Sequence, residues 1–190
     1  MKSLMKPKPG DLFYIPSINQ LNENGFVIAR YIEFMTPNLG HLIEVFDHFY
    51  TEPPKKISDV YTTKRLFQPI FCSMRFSGIP RWKILFSNPE YDKSESSYKN
   101  ITFEFDGSIW MGGESIITEN QELQNIEPSI CWRMDHIILR VLYHLKGFLA
   151  NNEIMDYDKI PMEYSMDNEL TGEKILEMAK MTDNKFKSWI

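Results

Sequence analysis

Hydrophobic positions in the first two-thirds of the chain fall in short runs between turn residues, a pattern that predicts β-strands. The first run, residues 11–15, lies between Gly10 and Pro16. Because proline lacks a backbone N–H, we expect Pro16 to mark the end or the edge of this strand. The next runs are residues 26–32, apolar enough to be buried on much of both faces, and residues 41–47. Short polar loops separate the three runs and predict an antiparallel meander.

The pattern continues with further strands predicted at residues 69–76, 81–86, 101–105 and 108–111. The last two flank Asp106-Gly107, a dipeptide typical of a tight hairpin turn. Residues 88–100 are rich in serine, lysine and tyrosine, so we expect them to form an exposed loop.

The hydrophobic period changes in the second half of the chain. Apolar side chains recur at three- and four-residue steps from Ile130 to Leu149, which predicts an amphipathic helix. Ser129 is its expected N-cap, and the helix is expected to end near Asn151. Another helix is predicted to begin after Thr171, following an acidic and irregular stretch.

Strands first and helices later define an α+β fold. We expect a single domain over residues 1–190. Its β-rich part, about residues 8–116, is predicted to form an antiparallel sheet or a partly open barrel. The helical part, about residues 117–190, is predicted to pack two or more helices on it. The hydrophobic fraction of 43% and the aromatic fraction of 14% are ample for such a core.

The charge of the chain is unevenly distributed, and its net value is −5. Residues 1–90 carry eleven basic and eight acidic side chains, whereas residues 91–190 carry ten basic and eighteen acidic ones. The basic residues form no clustered stripe of the kind that nucleic-acid binding requires, so we expect no nucleic-acid partner. The acidic residues of the second half are interpreted first as solvated surface, and the alternative interpretation is that they face a basic protein partner.

The predicted location is the cytoplasm. Pro7 and Pro9 interrupt any apolar leader segment, and no window approaches the roughly 18 apolar residues of a membrane span. We therefore expect no membrane partner. Cys72 and Cys131 match no zinc or redox spacing and are interpreted as buried, reduced thiols.

Catalytic, metal-binding and cofactor-binding residues are all predicted to be absent. Cys131 lies near basic residues, but we interpret it as a core-facing side chain on the helix. Glu104 and Asp106 share a strand face without other signs of an acid–base pair. Glu44 and Asp47 precede His48, and this polar group is interpreted as a solvated strand end.

The opening stretch KPGDLFYIP at residues 8–16 resembles the start of the immunity protein 26 family of bacterial polymorphic-toxin systems. Four further pieces resemble later strands of that family in the same order. They are GFVIAR at residues 25–30, IEVFD at 43–47, PIF at 69–71 and RWKI at 81–84. The resemblance covers roughly residues 8–90.

The resemblance implies a mostly β protein that binds and neutralises a cognate toxin in the bacterial cytoplasm through protein–protein contact, without catalysis. The positions that carry it are expected to be structural: Gly10, Asp11, Phe13, Pro16, Gly25, Arg30, Phe46, Asp47 and Trp82. The acidic side chains expected to contact the partner are Asp92, Glu95, Glu114, Glu119, Glu122 and Glu127. The oligomeric state stays open.

Two other classes of protein remain open. A Gly-Asp pair before alternating hydrophobic residues also opens small SH3-like barrels, so a ribonuclease toxin or a nucleic-acid-binding module of this kind is one alternative. In such an enzyme Arg30 or Arg81 would face the RNA. The remaining alternative is a non-enzymatic adaptor with a partner other than a toxin.

Overall fold

The computed structural model describes residues 7–35, 39–73, 82–116 and 125–187. In chain order the strands are β1 Leu12–Ile18, β2 Asn24–Met35, β3 Gly40–Tyr50, β4 Ile70–Ser73, β5 Ile84–Phe86, β6 Thr102–Phe105, β7 Ser108–Met111, β8 Glu114–Ile116 and β9 Cys131–Arg133. The α-helices are α1 Met134–Leu145 and α2 Glu169–Lys187, and short 3-10 turns lie between these elements.

The described strands form two sheets. The larger has six strands in the order β5-β1-β2-β3-β4-β9, and the smaller is a meander of β6, β7 and β8. Strands β1 to β3 are antiparallel neighbours, as the predicted meander requires; β4 extends the antiparallel arrangement, and β9 runs parallel to β4. The α+β prediction is confirmed. The prediction allowed a sheet or a partly open barrel. The described residues form an open sheet with β5 and β9 at its edges.

Both faces of the large sheet are covered, which explains the continuous apolar run in β2. Its odd-numbered positions Val27 and Ala29 belong to a core that also contains the apolar face of α1. The even-numbered positions Phe26 and Ile28 belong to a second core with Val60 and residues of β1 and β3. Because alternate side chains of a strand point to opposite faces, a sheet buried on both sides needs apolar residues at consecutive positions.

The expectation for Pro16 is wrong in one respect, because β1 continues through it to Ile18. Pro16 pairs with Phe26 of β2. On the other side of β1, the Tyr14 N–H donates to the Lys83 carbonyl at 3.2 Å, and pairing with β5 extends no further along β1 than this. Pro16 lies two residues on and faces the same side. Among the described residues, its missing N–H therefore leaves no strand-pairing hydrogen bond unmade.

Residues 88–100 are more ordered than the expected exposed loop. They contain two 3-10 turns, Lys93–Ser96 and Tyr98–Asn100, and Ser96 is buried. Asp92 caps the first turn by accepting a hydrogen bond from the Ser94 N–H at 2.8 Å. The side chain of Glu95 accepts from the Asp92 N–H at 3.2 Å and completes a capping box.

The first α-helix begins later and ends earlier than predicted. Residues 131–133 form β9 beside β4, so the N-cap is Arg133 and not Ser129. The helix ends at Leu145, and Gly147 follows with a φ of +78°. The apolar periodicity from Met134 onward matches the face of α1 that packs on the sheet. Among the described residues, no helix has both the length and the apolar character to cross a bilayer.

Candidate functional site

A buried carboxylate organises the most polar part of the large sheet. Glu44 of β3 lies opposite Arg30 of β2, and its side chain is 2% exposed. Its two oxygens accept hydrogen bonds from Arg65 Nε at 2.7 Å and from Ser96 Oγ at 2.6 Å. Arg30 Nη1 lies 3.3 Å from the same carboxylate. A buried charge is tolerated only with such partners, so this network is part of the folded core.

The guanidinium of Arg30 is held between two aromatic rings. It lies 5.3 Å from the ring centroid of Phe46 and 5.1 Å from that of Tyr91, distances typical of cation–π contacts. Burial raises the pKa of Tyr91, so its hydroxyl is protonated at neutral pH. The Tyr91 hydroxyl and Ser96 Oγ are 2.7 Å apart. Because Ser96 donates to Glu44, Tyr91 donates to Ser96, and a chain of hydrogen bonds ends on the buried carboxylate.

Two cavities flank this network, and we call them together the arginine cleft. The larger, about 560 Å³, is lined by Glu44, Arg65 and polar residues that include Asn151. The smaller, about 300 Å³, is lined by Arg30 and residues that include Gly10. Thr62 and Glu95 line both cavities. Polar and charged side chains that converge on a concave surface can fix the orientation of a ligand, so we take the cleft as the candidate binding site.

The first residues of the opening motif, Gly10 and Asp11, lie next to the arginine cleft. Gly10 has a φ of +88°, and a Cβ there would lie 2.4 Å from the Cβ of Tyr91 and 2.6 Å from the Asn88 carbonyl oxygen. Only glycine lets the chain approach the segment that carries Tyr91 so closely. Asp11 accepts a hydrogen bond from the Lys8 N–H at 2.8 Å. These contacts fix the start of β1 against the rim of the cleft.

The other motif positions connect neighbouring strands. Phe13 of β1 stacks on Trp82, with ring centroids 5.3 Å apart and planes 14° from parallel. Gly25 pairs with Ser17 across β1 and β2. Asp47 accepts a side-chain hydrogen bond from Asn151. The motif therefore lies partly in the core and partly around the arginine cleft.

The described members of the predicted set of partner contacts differ in their surroundings. Asp92 and Glu95 lie together in the capping box at the cleft, where hydrogen bonds from Ser94 lower the pKa of Asp92. Glu114 is exposed at the start of β8. Glu119 and Glu122 lie outside the described residues. Among the members of this set that the structure describes, Glu95 lines the cleft, and Asp92 is joined to it in the capping box.

The prediction that Glu127 contacts a partner is wrong, because this residue does not lie at the surface. Its exposure is 1%, and its carboxylate is bound by the guanidinium of Arg140 on α1. In this fold it is not available to a partner. Sequence alone does not separate this glutamate from its exposed neighbours, since the arginine that binds it lies in the following helix.

The side chains that were considered as catalytic or metal-binding candidates lie in different parts of the structure. Cys72 is buried, but Cys131 lies on β9 and is exposed, so the expectation of a core-facing thiol on the helix is wrong. Partial burial raises the pKa of Cys131, which disfavours the reactive thiolate. The ring of His48 contacts those of Tyr50 and Tyr61. The described residues contain no group of three His, Cys, Asp or Glu side chains that could hold a metal ion.

Sequence reasoning named Arg30 and Glu95 but did not place Glu44, Arg65, Ser96 or Tyr91 in a common site. The sequence contains one relevant signal, because Arg30 and Glu44 are the only charged residues in the otherwise apolar runs 26–32 and 42–46. Charged residues inside such strands must find partners when both faces are covered. Arg65 and Ser96 could not be assigned as those partners, because they are 21 and 52 residues from Glu44 in the sequence.

Together the described residues define an α+β protein whose open sheet is covered on both faces and carries a polar, arginine-containing cleft on one of them. No family model, curated protein or solved structure matches this chain.

Proposed function

We propose that this protein is a non-catalytic immunity protein, which binds a cognate bacterial toxin in the cytoplasm and blocks its action. One observation carries the proposal. The first four segments that resemble the immunity protein 26 family coincide with β1 to β4, and the fifth leads into β5. These five strands are neighbours in one sheet. Five short matches that assemble into one continuous unit support a common module more strongly than five scattered ones.

The environment of Arg30 favours this proposal over a ribonuclease. A catalytic or RNA-binding arginine must meet an RNA chain, whereas the Arg30 side chain is 8% exposed and opens only onto a cavity of about 300 Å³. Arg81, the other candidate, lies outside the described residues. The described sheet is also open, whereas an SH3-like fold closes its strands into a barrel.

Acidic side chains at the cleft suggest how a partner would be attracted. Asp92 and Glu95 lie next to each other at its rim, and Glu95 is 42% exposed. The chain carries a net charge of −5. Complementary charge raises the rate of association and excludes wrong partners more than it raises affinity. A toxin with a basic surface is therefore the partner that fits this proposal.

Co-expression with the product of the adjacent toxin gene tests the function. We expect the toxin module alone to arrest growth, and this protein to restore growth and to form a complex with the module. An adaptor would neither arrest nor restore growth. A ribonuclease would itself be toxic and would cleave RNA. Failure to restore growth, or a neighbourhood of metabolic genes without a toxin, would contradict the proposal.

Two charge-reversal variants test whether the arginine cleft is the surface that contacts the toxin. Glu95→Lys is expected to slow association with the toxin and to weaken the salt dependence of the rate. Glu163→Lys, an equally large charge change at an exposed position between the helices, is the matched control. Equal effects of the two variants would show that only net charge matters and that the cleft is not the contact surface.

A further inference from the structure

We propose that the smaller cavity of the arginine cleft is a binding site for a carboxylate group, and that Arg30 is the main residue that binds it. The inference goes beyond the toxin proposal, since the site would bind a carboxylate whether or not the protein neutralises a toxin. It rests on the contacts of Arg30, on the residues that line the cavity and on the position of Glu95.

The guanidinium of Arg30 is buried without short hydrogen bonds to the described residues. Its nearest acceptors are Glu44 at 3.3 Å, Ser96 Oγ at 3.5 Å and Glu95 at 3.7 Å. Charge-assisted hydrogen bonds are normally about 2.7–2.9 Å long. Glu44, meanwhile, receives its short hydrogen bonds from Arg65 and Ser96. Arg30 therefore retains donor capacity although its side chain is only 8% exposed.

The cavity beside Arg30 offers further donors and little opposing charge. Its lining includes Thr62 and Asn88, whose hydroxyl and amide groups can donate to an oxygen anion, and Ser58, whose hydroxyl donates to Asp59 at 3.5 Å. The Asn88 side-chain oxygen already accepts from the Glu90 N–H at 3.2 Å. This contact leaves the amide nitrogen of Asn88 as its donor. Leu12 and Val60 form the apolar part of the cavity lining.

Glu95 indicates the charge of the ligand. It is the only acidic residue that lines the smaller cavity within the described part of the chain, and it lies 3.7 Å from Arg30 Nη2. Its side chain is 42% exposed and is held by a single hydrogen bond from the Asp92 N–H. It can therefore turn toward solvent without opening the core. A ligand carboxylate then replaces one negative charge by another, and Arg30 stays neutralised.

A carboxylate fits better than the other charged groups. A cation would meet the buried guanidinium, and a phosphate dianion would add a second negative charge beside Glu44. The planar carboxylate matches the fork of a guanidinium and can accept two hydrogen bonds from it. A volume of about 300 Å³ is at the lower end for ligand sites and suits an acidic side chain or a small acid.

Titration with two probes tests the site, namely acetate and an aspartate residue blocked at both termini. Chemical shifts of the Arg30 Nε–Hε group and of the Thr62 and Asn88 backbone amides report binding. We expect saturable shifts with at least one probe. Similar or tighter binding of the blocked aspartate assigns the carboxylate to a protein side chain, whereas binding of acetate alone assigns it to a small free acid.

Three variants make the test specific. Glu95→Gln keeps the capping hydrogen bond but removes the competing charge, and it is expected to tighten probe binding roughly tenfold at low salt. Glu90→Gln removes an equal charge from an exposed position of the same segment and is expected to leave affinity unchanged. Thr62→Val removes one donor hydroxyl and is expected to weaken binding severalfold.

The proposal is overturned if the folded Glu95→Gln protein shows no saturable shift with either probe. It is also overturned if Glu95→Gln and Glu90→Gln bind the probes equally well, because the change would then reflect net charge and not the cavity. Circular dichroism of each variant establishes that it is folded before titration.

Discussion

Glu127 and Arg140 form a bidentate ion pair in which both side chains are completely buried. Arg140 Nη2 donates to Glu127 at 2.8 Å, and the guanidinium lies 4.4 Å from the ring centroid of Phe67 and 5.0 Å from that of Trp132. The backbone beside Glu127 also pairs with Glu104 of β6. The pair thus joins the smaller sheet to helix α1 through the core.

Removing one member of this pair is expected to be strongly destabilising. Glu127→Ala leaves the Arg140 charge buried without its partner, which typically lowers the free energy of unfolding by about 3–5 kcal/mol. Glu114→Ala, the same substitution at an exposed glutamate, is expected to change it by no more than about 0.5 kcal/mol. Urea denaturation of both variants measures the difference. Similar stabilities would contradict the buried position of Glu127.

Replacing Gly10 is expected to lower the free energy of unfolding, because of its close contact with Tyr91 as well as its backbone conformation. Gly10→Ala places a Cβ 2.4 Å from that of Tyr91 at a φ of +88°. We expect a loss of more than about 2 kcal/mol. Gly107 has a similar φ of +82°, but a Cβ at that position would have no atom within 4 Å, so Gly107→Ala is expected to cost only about 1 kcal/mol. Equal losses in thermal or urea denaturation would show that backbone strain alone matters at Gly10.

His144 is expected to make stability depend on pH. Burial, with a further contribution from the Arg140 charge, lowers its pKa from 6.5 to about 4. The unfolded chain therefore binds the proton more tightly than the folded protein. Stability is expected to fall by about 2 kcal/mol between about pH 7 and pH 5 from this residue alone, and further as the pH approaches the folded-state pKa.

His144→Leu isolates this effect, since leucine fills the site beside Phe67 without a titrating group. The free energy of unfolding of the variant is expected to decline less than that of the parent over the same pH range. Because carboxylates also titrate toward about pH 4, the comparison is made above about pH 5. Parallel pH profiles of parent and variant would rule out His144 as the source.

The two cysteines are expected to differ in reactivity. Cys131 is exposed on β9, whereas Cys72 is buried on β4 and burial raises its pKa well above the usual value. A thiol reagent should modify one group in the native protein and the second only after unfolding. Cys131→Ser is expected to abolish the fast reaction and Cys72→Ser to retain it. Two fast reactions in the parent protein would contradict the burial of Cys72.

The strands that were predicted best are those whose partners lie nearby in the chain. The β1–β2–β3 meander is joined by short connections, and the β6–β7 hairpin turns at Asp106 and Gly107, both with positive φ. In these cases turn chemistry and apolar runs carry the necessary information locally. The α1 periodicity was equally visible, but its first residues became β9 because the distant strand β4 offers them a parallel partner.

The sequence by itself determined the α+β class, the central meander and the burial of the second strand on both of its faces. Only the tertiary structure decided that Glu127 is buried while Glu114 is exposed, and that Arg30, Glu44, Arg65 and Ser96 meet at one cleft. Strand formation follows from neighbours a few residues apart. The burial and pairing of a charge depend on which distant segments cover each face of the sheet, and that is settled only when the layers pack.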